Sequence, residues 1–403
     1  MIQISNQFIG MEVKIKSLAK AIKSELISIR HTIHQNPELS FQEENTAELV
    51  ENYLASLGLE THRMAGTGVW AMIHGNGSSD KTIALRADLD ALPIQEKNDK
   101  PYASKVPGVM HACGHDVHTT SLLGAAKILT SIKDNLNGNI KLIFQPGEEK
   151  LPGGASLLIK EGILENPKVD AIIGQHVMPF IQTGNVGFRK GLYMASTDEI
   201  YITVNGKGGH GAMPHLCIDP VAISAQIIVA LQQIVSRKAK PILPTVLSFG
   251  KINSEGGATN VIPNKVRFEG TLRTLDETWR TECKSLIEKV VKNTAEMYGA
   301  TADVLIETGY PFLKNDENLT TSLINNAEVY MGESHVEPLD IWMAAEDFSF
   351  YSQKVPACFY RLGTRNEAKG ITSAVHTDTF DIDEDALETG CGLMAYLAYS
   401  ALL

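Results

Sequence analysis

Three short apolar bursts, each running straight into an acidic or imidazole side chain, constrain this chain more than anything else in it. TIALRAD runs into Asp88, with Asp90 just beyond. NIKLIFQPGEE carries apolar residues 140–144 into Glu148 and Glu149, and VDAIIGQH ends on His176. Helical patterns separate them, TTSLLGAAKILTSI between the first two and GGASLLIKEGIL between the second and third. Such alternation predicts an α/β domain with a largely parallel sheet. Ligands of open α/β sheets bind just past the carboxyl ends of the strands. Three strands are therefore expected to deliver polar side chains to one edge.

Two helices precede the bursts. SLAKAIKSELISIRHTIHQ is expected to break at Asn36-Pro37, and ENTAELVENYLASLG to end at Gly58. Near Ser196 the pattern changes. In DEIYITVNG, Ile200, Ile202 and Val204 share a face. A glycine-rich loop, GKGGHGAMPH, leads to a helix with Asp219 as N-cap and Pro220 in its first turn. The strands TVLSFGKI and KVRFEGTLRT, a helix from about Asp276 to Tyr298, and the strand TADVLIET complete a β-α-β-β-α-β order, the ferredoxin-like plan. The α/β style then resumes with ACFYRLG and a final helix from Asp383. The expectation is a discontinuous catalytic domain, residues 1–193 and 309–403, interrupted by a ferredoxin-like lid or dimerisation domain, residues 194–308. No internal repeat or low-complexity segment is seen.

With 403 residues there is enough chain for two cores. A net charge of −11 argues against nucleic acid and anionic membrane as partners. Five dispersed cysteines without a CxxC argue against a disulfide framework. The start, MIQISNQFIGMEVKIK, reads as neither signal peptide nor anchor. No apolar stretch is expected to reach the length of a membrane span. The expected location is a reducing cytoplasm.

MHACGHDVHTT, residues 110–120, gathers His111, Cys113, His115, Asp116 and His118 in a chain with only twelve histidines. In an extended segment alternate residues face one side, so His111, Cys113 and His115 are candidates for one ion. Asp116 and His118 would face elsewhere or orient a ligand. The helix that follows should favour a thiolate at Cys113. Glu148 and Glu149 follow a buried strand and a Pro-Gly turn. One carboxylate can hold a metal while the other takes a proton from water. His176, taken alone, is as well explained by a half-buried histidine, and His376 is better explained locally by a loop histidine. The glycines around His210 are no P-loop, since no GKS or GKT follows them. Arg273 could hold a carboxylate by a bidentate contact, although locally a surface strand arginine explains it better.

RADLDALP, MHACGHDVHTT, FQPGEE, GQHVMP, GKGGHGAMPH, GGATNVIP, GTLRT, AEDFSFY and HTDTFDIDEDAL together resemble the successive motifs of the metal-dependent amidohydrolase/aminoacylase family. That family includes hippurate hydrolases, indole-acetyl-amino-acid hydrolases and N-acetyl-diaminopimelate deacetylases, and is similar in plan to dinuclear zinc peptidases. The motifs run in order from about residue 30 to 390. The resemblance implies a mixed-sheet, zinc-peptidase-like α/β catalytic domain. It implies two divalent ions (Zn, Mn, Co or Ni) about 3.5–4 Å apart, held by Cys113, His115, Glu149, His176 and His376. Glu148 matches the general base, and Asp88 and Asp90 match a metal-orienting position, with Asp116 in support. His210 matches an oxyanion-stabilising histidine that often reaches the partner subunit's site. Asn260 and Arg273 match positions near a substrate carboxylate.

The implied reaction is hydrolysis of a small N-acyl amino acid by a homodimer or higher homo-oligomer. The alternatives are a metallo-dipeptidase or carboxypeptidase on the same scaffold, a non-catalytic metal-dependent binding protein, and a redox or nucleophilic role for Cys113.

Overall fold

The computed structural model describes residues 2–256 and 258–403. Met1, and Gly257 within the GGATNVIP motif, lie outside the described residues. Packing divides the chain into two compact units, 1–193 with 314–341 and 347–403, and 194–313 with 342–346.

The first unit is built on an eight-stranded mixed sheet. Its order is Thr61–Met64, Gly68–His74, Asn139–Gln145, Thr82–Asp88, Ala171–Gln182, Ala357–Arg365, Val186–Phe188, Val336–Pro338. The four central strands are mutually parallel, as the bursts predict. Thr82–Asp88 is buried along its whole length, which is why it reads as a continuous apolar run rather than an alternation. An antiparallel hairpin closes one edge. The helices Ile2–Gln35, His115–Ser131 and Asp385–Ala401 pack on one another, and the last is buried almost all round.

The first helix starts well before the expected Ser17. Met11, Ile15, Ala19, Leu26 and Ile33 are buried at helical spacing, so its apolar stripe continues through the segment read only as a non-signal N-terminus. A second correction concerns His176. It lies inside the long strand Ala171–Gln182, opposite Arg361 in the register, and not past a strand end. The neighbouring Ala357–Arg365 continues the pairing beyond it, so the strand does not stop at the end of the apolar burst.

The second unit has the expected ferredoxin-like plan. Its antiparallel sheet runs Val246–Ser254, Lys265–Arg273, Asp198–Asn205, Thr301–Thr308, with helices Pro220–Arg237 and Glu277–Met297. Asp219 caps the first, its carboxylate accepting the Val221 and Ala222 N–H groups. Asp276 caps the second through the Trp279 N–H. Pro220–Arg237 corrects the sequence expectation on apolar length, because its 18 residues suffice by length and composition to cross a membrane. Ile223, Ile227, Leu231 and Ile234 on its inner face are nevertheless buried in the unit's own core.

Candidate metal centre

The parallel strands bring their polar ends together in the first unit. The nearest ligand atoms of Cys113, His115 and His176 lie within 4.8 Å of one another. So do those of Cys113, Glu149 and His376, and those of His115, Glu148 and Glu149. Cys113 and Glu149 are shared between groups, so the sets form one continuous cluster. Cys113 Sγ is 3.5 Å from His176 Nε2 and 3.2 Å from His376 Nε2, which is in turn 3.2 Å from Glu149 Oε1. All five residues implied as ligands, with Glu148, are thus assembled from four distant parts of the chain.

Local structure explains the assembly. Gly114, at φ +84, takes a left-handed turn that no side chain adopts readily, and the helix His115–Ser131 starts directly after it. The strand-like alternation expected for residues 111–115 therefore does not hold. His111 belongs to none of the described ligand groups. It faces His34 and is fully buried with neither ring nitrogen hydrogen-bonded, and burial pushes its pKa down to about 4.

A second layer of carboxylates orients the cluster. Asp90 Oδ1 lies 3.1 Å from His115 Nδ1, while its Oδ2 accepts the Glu149 N–H at 2.9 Å and the Ser40 hydroxyl at 2.6 Å. Asp88 accepts His118 Nδ1–H at 2.6 Å and Arg86 Nη1 at 2.6 Å. His118 Nε2 accepts the Val177 N–H at 2.9 Å, so both its nitrogens are used within the protein. His176 Nδ1–H donates to the Val177 carbonyl at 2.7 Å, leaving Nε2 turned to Cys113. Burial and the nearby Arg361 charge hold His176 well below its ordinary pKa and therefore neutral.

The donors fit divalent cations. Nε2 of His115 is buried with no hydrogen-bond partner among the described residues, the nearest carboxylate oxygen being Asp88 Oδ2 at 3.7 Å, an arrangement that costs free energy unless something else binds there. Its Nδ1 is held by a carboxylate, the usual second partner of a ligating imidazole. Burial alone would lower the His115 pKa, but Asp88, Asp90 and Glu149 outweigh it and lift the ring to about 10. The same field attracts a cation. The thiolate expectation for Cys113 is overturned for the protein alone. Burial, then Glu149, Glu148 and Asp88, push the thiol well above its usual range. A thiolate here requires a neighbouring positive charge.

Sequence reasoning missed several supporting groups. Glu43, fully buried, accepts the Phe41 and Gly147 N–H groups at 2.9 and 2.8 Å and the Thr67 hydroxyl at 2.5 Å. It thereby fixes the turn that leads to Glu148. Arg86 joins Asp88, Gln145 and Asp347. Asp116, expected only as support, is locked by Arg30 and His34 at 2.8 Å each. The readable signal was polar residues standing on otherwise buried stripes.

In the second unit, His210 is exposed and pairs with Val261 in a short ladder. Its Nδ1 accepts the Ala212 N–H at 3.0 Å, and the Asn260 carbonyl accepts the Gly211 N–H at 2.7 Å, so His210 and Asn260 are neighbours. Asn264 bonds Gly208 beside that ladder. Arg273 ends the nine-residue strand that starts at Lys265, the far end from Asn264. At roughly 3.3 Å per residue, it does not converge with Asn260 within the unit.

A parallel-centred sheet in one unit and a ferredoxin-like plan in the other, with a largely buried thiol-imidazole-carboxylate cluster in the first, define a metallohydrolase scaffold. The sequence profile of Peptidase family M20/M25/M40 matches residues 84–400, and the chain belongs to that family. It is an enzyme that hydrolyses amide bonds. It is 42% identical over 389 residues to thermostable carboxypeptidase 2 of Saccharolobus solfataricus, covering 96% of this chain and 97% of the relative. It is 45% identical over 306 residues to the N-acyl-L-amino acid amidohydrolase of Geobacillus stearothermophilus, covering 75% and 82%. A solved Bacillus subtilis structure, described as a dinuclear metal binding peptidase from the M20 family, superposes with a TM-score of 0.81 at 34% identity, covering 95% of this chain and 99% of that one.

Proposed function

We propose that the protein hydrolyses N-acyl-L-amino acids, with Glu148 as general base and Cys113, His115, Glu149, His176 and His376 as ligands of two divalent ions. One observation carries the reading. Glu148 stands beside Glu149 in a group with His115, while Glu149 and His115 each also belong to a group containing Cys113. Two adjacent carboxylates can thereby divide ligation and proton transfer. Divalent ions bound there would polarise the amide carbonyl and lower the pKa of water.

Glu148 accepts the proton of the attacking water and returns it to the leaving nitrogen, a role worth about 10²–10⁴ in rate. Its burial favours proton transfer over solvation. Asp90 holds His115 and the Glu149 backbone together, so ligand and base keep one geometry. His210 is assigned to the oxyanion, and Asn260, beside it, to the substrate carboxylate; the place of Arg273 at the far end of its strand does not support the same role for it. A homodimer and a reducing cytoplasm complete the proposal, in keeping with five free cysteines.

Carboxypeptidase action is the second reading, favoured by the 42% identity to a protein of that name. The test loads the protein with Zn, Mn, Co or Ni. It offers acetyl-, benzoyl- and indoleacetyl-amino acids, N-acetyl-diaminopimelate and unblocked dipeptides, and reads free amine. Preference for the acylated set supports the first reading, and preference for the peptides supports the second. Glu148→Gln is expected to keep its metal and lose turnover; wild-type turnover in that variant removes the base assignment.

A further inference from the structure

The first helix carries a charge inside its apolar stripe. Arg30 is fully buried between Leu26 and Ile33, and His34 is buried one turn on. A guanidinium in such a setting must find partners, and Arg30 finds them in two separate segments. Its Nε donates to Asp116 Oδ2 at 2.8 Å and its Nη2 to Asp381 Oδ1 at 3.2 Å. The guanidinium also lies 4.6 Å from the centre of the Tyr102 ring, whose hydroxyl donates to Asp381 Oδ2 at 2.9 Å.

These two segments bear ligands. Asp116 directly follows His115, and Asp381 lies five residues after His376 in the same loop. His376 itself sits at φ +62, a left-handed conformation that an L-histidine keeps only where its surroundings enforce it. Its N–H donates to the Ala112 carbonyl at 2.7 Å, stitching the loop to the segment of Cys113. Arg30 stitches the same two segments a second time, through Asp116 and Asp381.

We propose that Arg30 is a positioning residue for the metal centre, setting His376 against Cys113 and His115 through its joint hold on Asp116 and Asp381. The inference rests on the ligand assignment proposed above. Lysine at this position keeps the charge but not the fork that reaches both carboxylates.

The test is a cobalt(II) titration of the metal-free protein, read by thiolate-to-cobalt and d–d absorption. Arg30→Lys, His376→Ala and the double variant form a cycle, with the metal-free melting temperature of each recorded alongside. Arg30→Lys should weaken cobalt binding about 10- to 100-fold, and the loss should nearly vanish in the His376→Ala background. Asp381→Asn, run through the same cycle, should behave alike and serves if Arg30→Lys fails to fold. A lowered melting temperature with unchanged cobalt affinity overturns the proposal, as does an equal loss with and without His376. Unchanged cobalt binding in His376→Ala alone removes the ligand assignment itself, and the proposal with it.

Discussion

Asp90 Oδ1 stands 3.1 Å from Nδ1 of His115, while that ring's other nitrogen faces Asp88 Oδ2 at 3.7 Å and has no hydrogen-bond partner among the described residues. The pair fixes which nitrogen is free and where it points. Asp90 also takes the Glu149 N–H, so one carboxylate aligns two candidate ligands. Asp90→Asn keeps the shape but sets an amide where an acceptor is needed. Metal affinity is expected to fall about 10- to 100-fold, measured by competition with a chromophoric chelator. An unchanged dissociation constant would show that Asp90 is structural only.

Metal loading is expected to release protons. The pKa of His115 is lifted to about 10 and the Cys113 thiol lies well above its ordinary value, so both are protonated at pH 7.5 without metal. Ligation needs both deprotonated, so about two protons should leave as the centre fills. Calorimetry in buffers of different ionisation enthalpy counts them, and affinity should rise with pH up to about 10. Release of no protons would contradict ligation by these two groups. The stability sign is the reverse. With its folded pKa above the unfolded 6.5, His115 stabilises the metal-free fold fully below about pH 6.5, and that contribution is lost as pH rises through about 10. Asp90→Asn should flatten that decline in thermal melts of the chelated protein.

Gly147 offers a second-site test of the turn leading to Glu148. It sits at φ +55, and a Cβ there would come within 2.4 Å of the Phe41 ring. Phe41 is itself left-handed at φ +66 and is held by Glu43, which also holds Gly147. Gly147→Ala should therefore displace Glu148 and lower kcat about 10²-fold, the scale of a misplaced catalytic group. Adding Phe41→Ala removes the collision but not the strain of an alanine at φ +55, and should recover part of the loss. A double variant no faster than Gly147→Ala would show that the ring is not what matters.

The central strands, the ferredoxin-like order and the Asp219 helix cap were legible because each is a local pattern of period, cap or burial. His176 inside its strand was not, since strand length depends on pairing with Ala357–Arg365, far away in sequence. The residues 111–115 were misread as extended because the helix starts at His115 through a glycine turn that leaves no periodic signal. Arg30 and Glu43 escaped notice for another reason. A charged residue in a buried stripe looks like an interruption until its partners at Asp116, Asp381 and Gly147 are brought beside it. Cys113 shows the limit of local electrostatics. A helix N-terminus favours a thiolate, but burial and three carboxylates from other segments push the thiol up.

The second unit supplies a prediction independent of the metal centre. Arg280 is buried, its Nε and Nη2 donating to Asp198 at 2.8 and 2.9 Å and Nη2 also to the Thr197 and Gly309 carbonyls at 2.9 and 3.0 Å. Arg280→Met leaves Asp198 without its fork and both carbonyls without that donor. Breaking such a pair from one side costs about 3–5 kcal/mol, because the surviving charge stays buried. Lys251 and Glu269, on the same sheet, make the opposite case. Their ion pair spans 3.2 Å with the lysine side chain 59% exposed, and water replaces it readily. Urea unfolding should therefore show a large drop in midpoint for Arg280→Met and almost none for Lys251→Ala. Equal midpoints for the two variants would mean that Lys284, whose Nζ lies 3.4 Å from Asp198 Oδ1, suffices for Asp198 when Arg280 is gone.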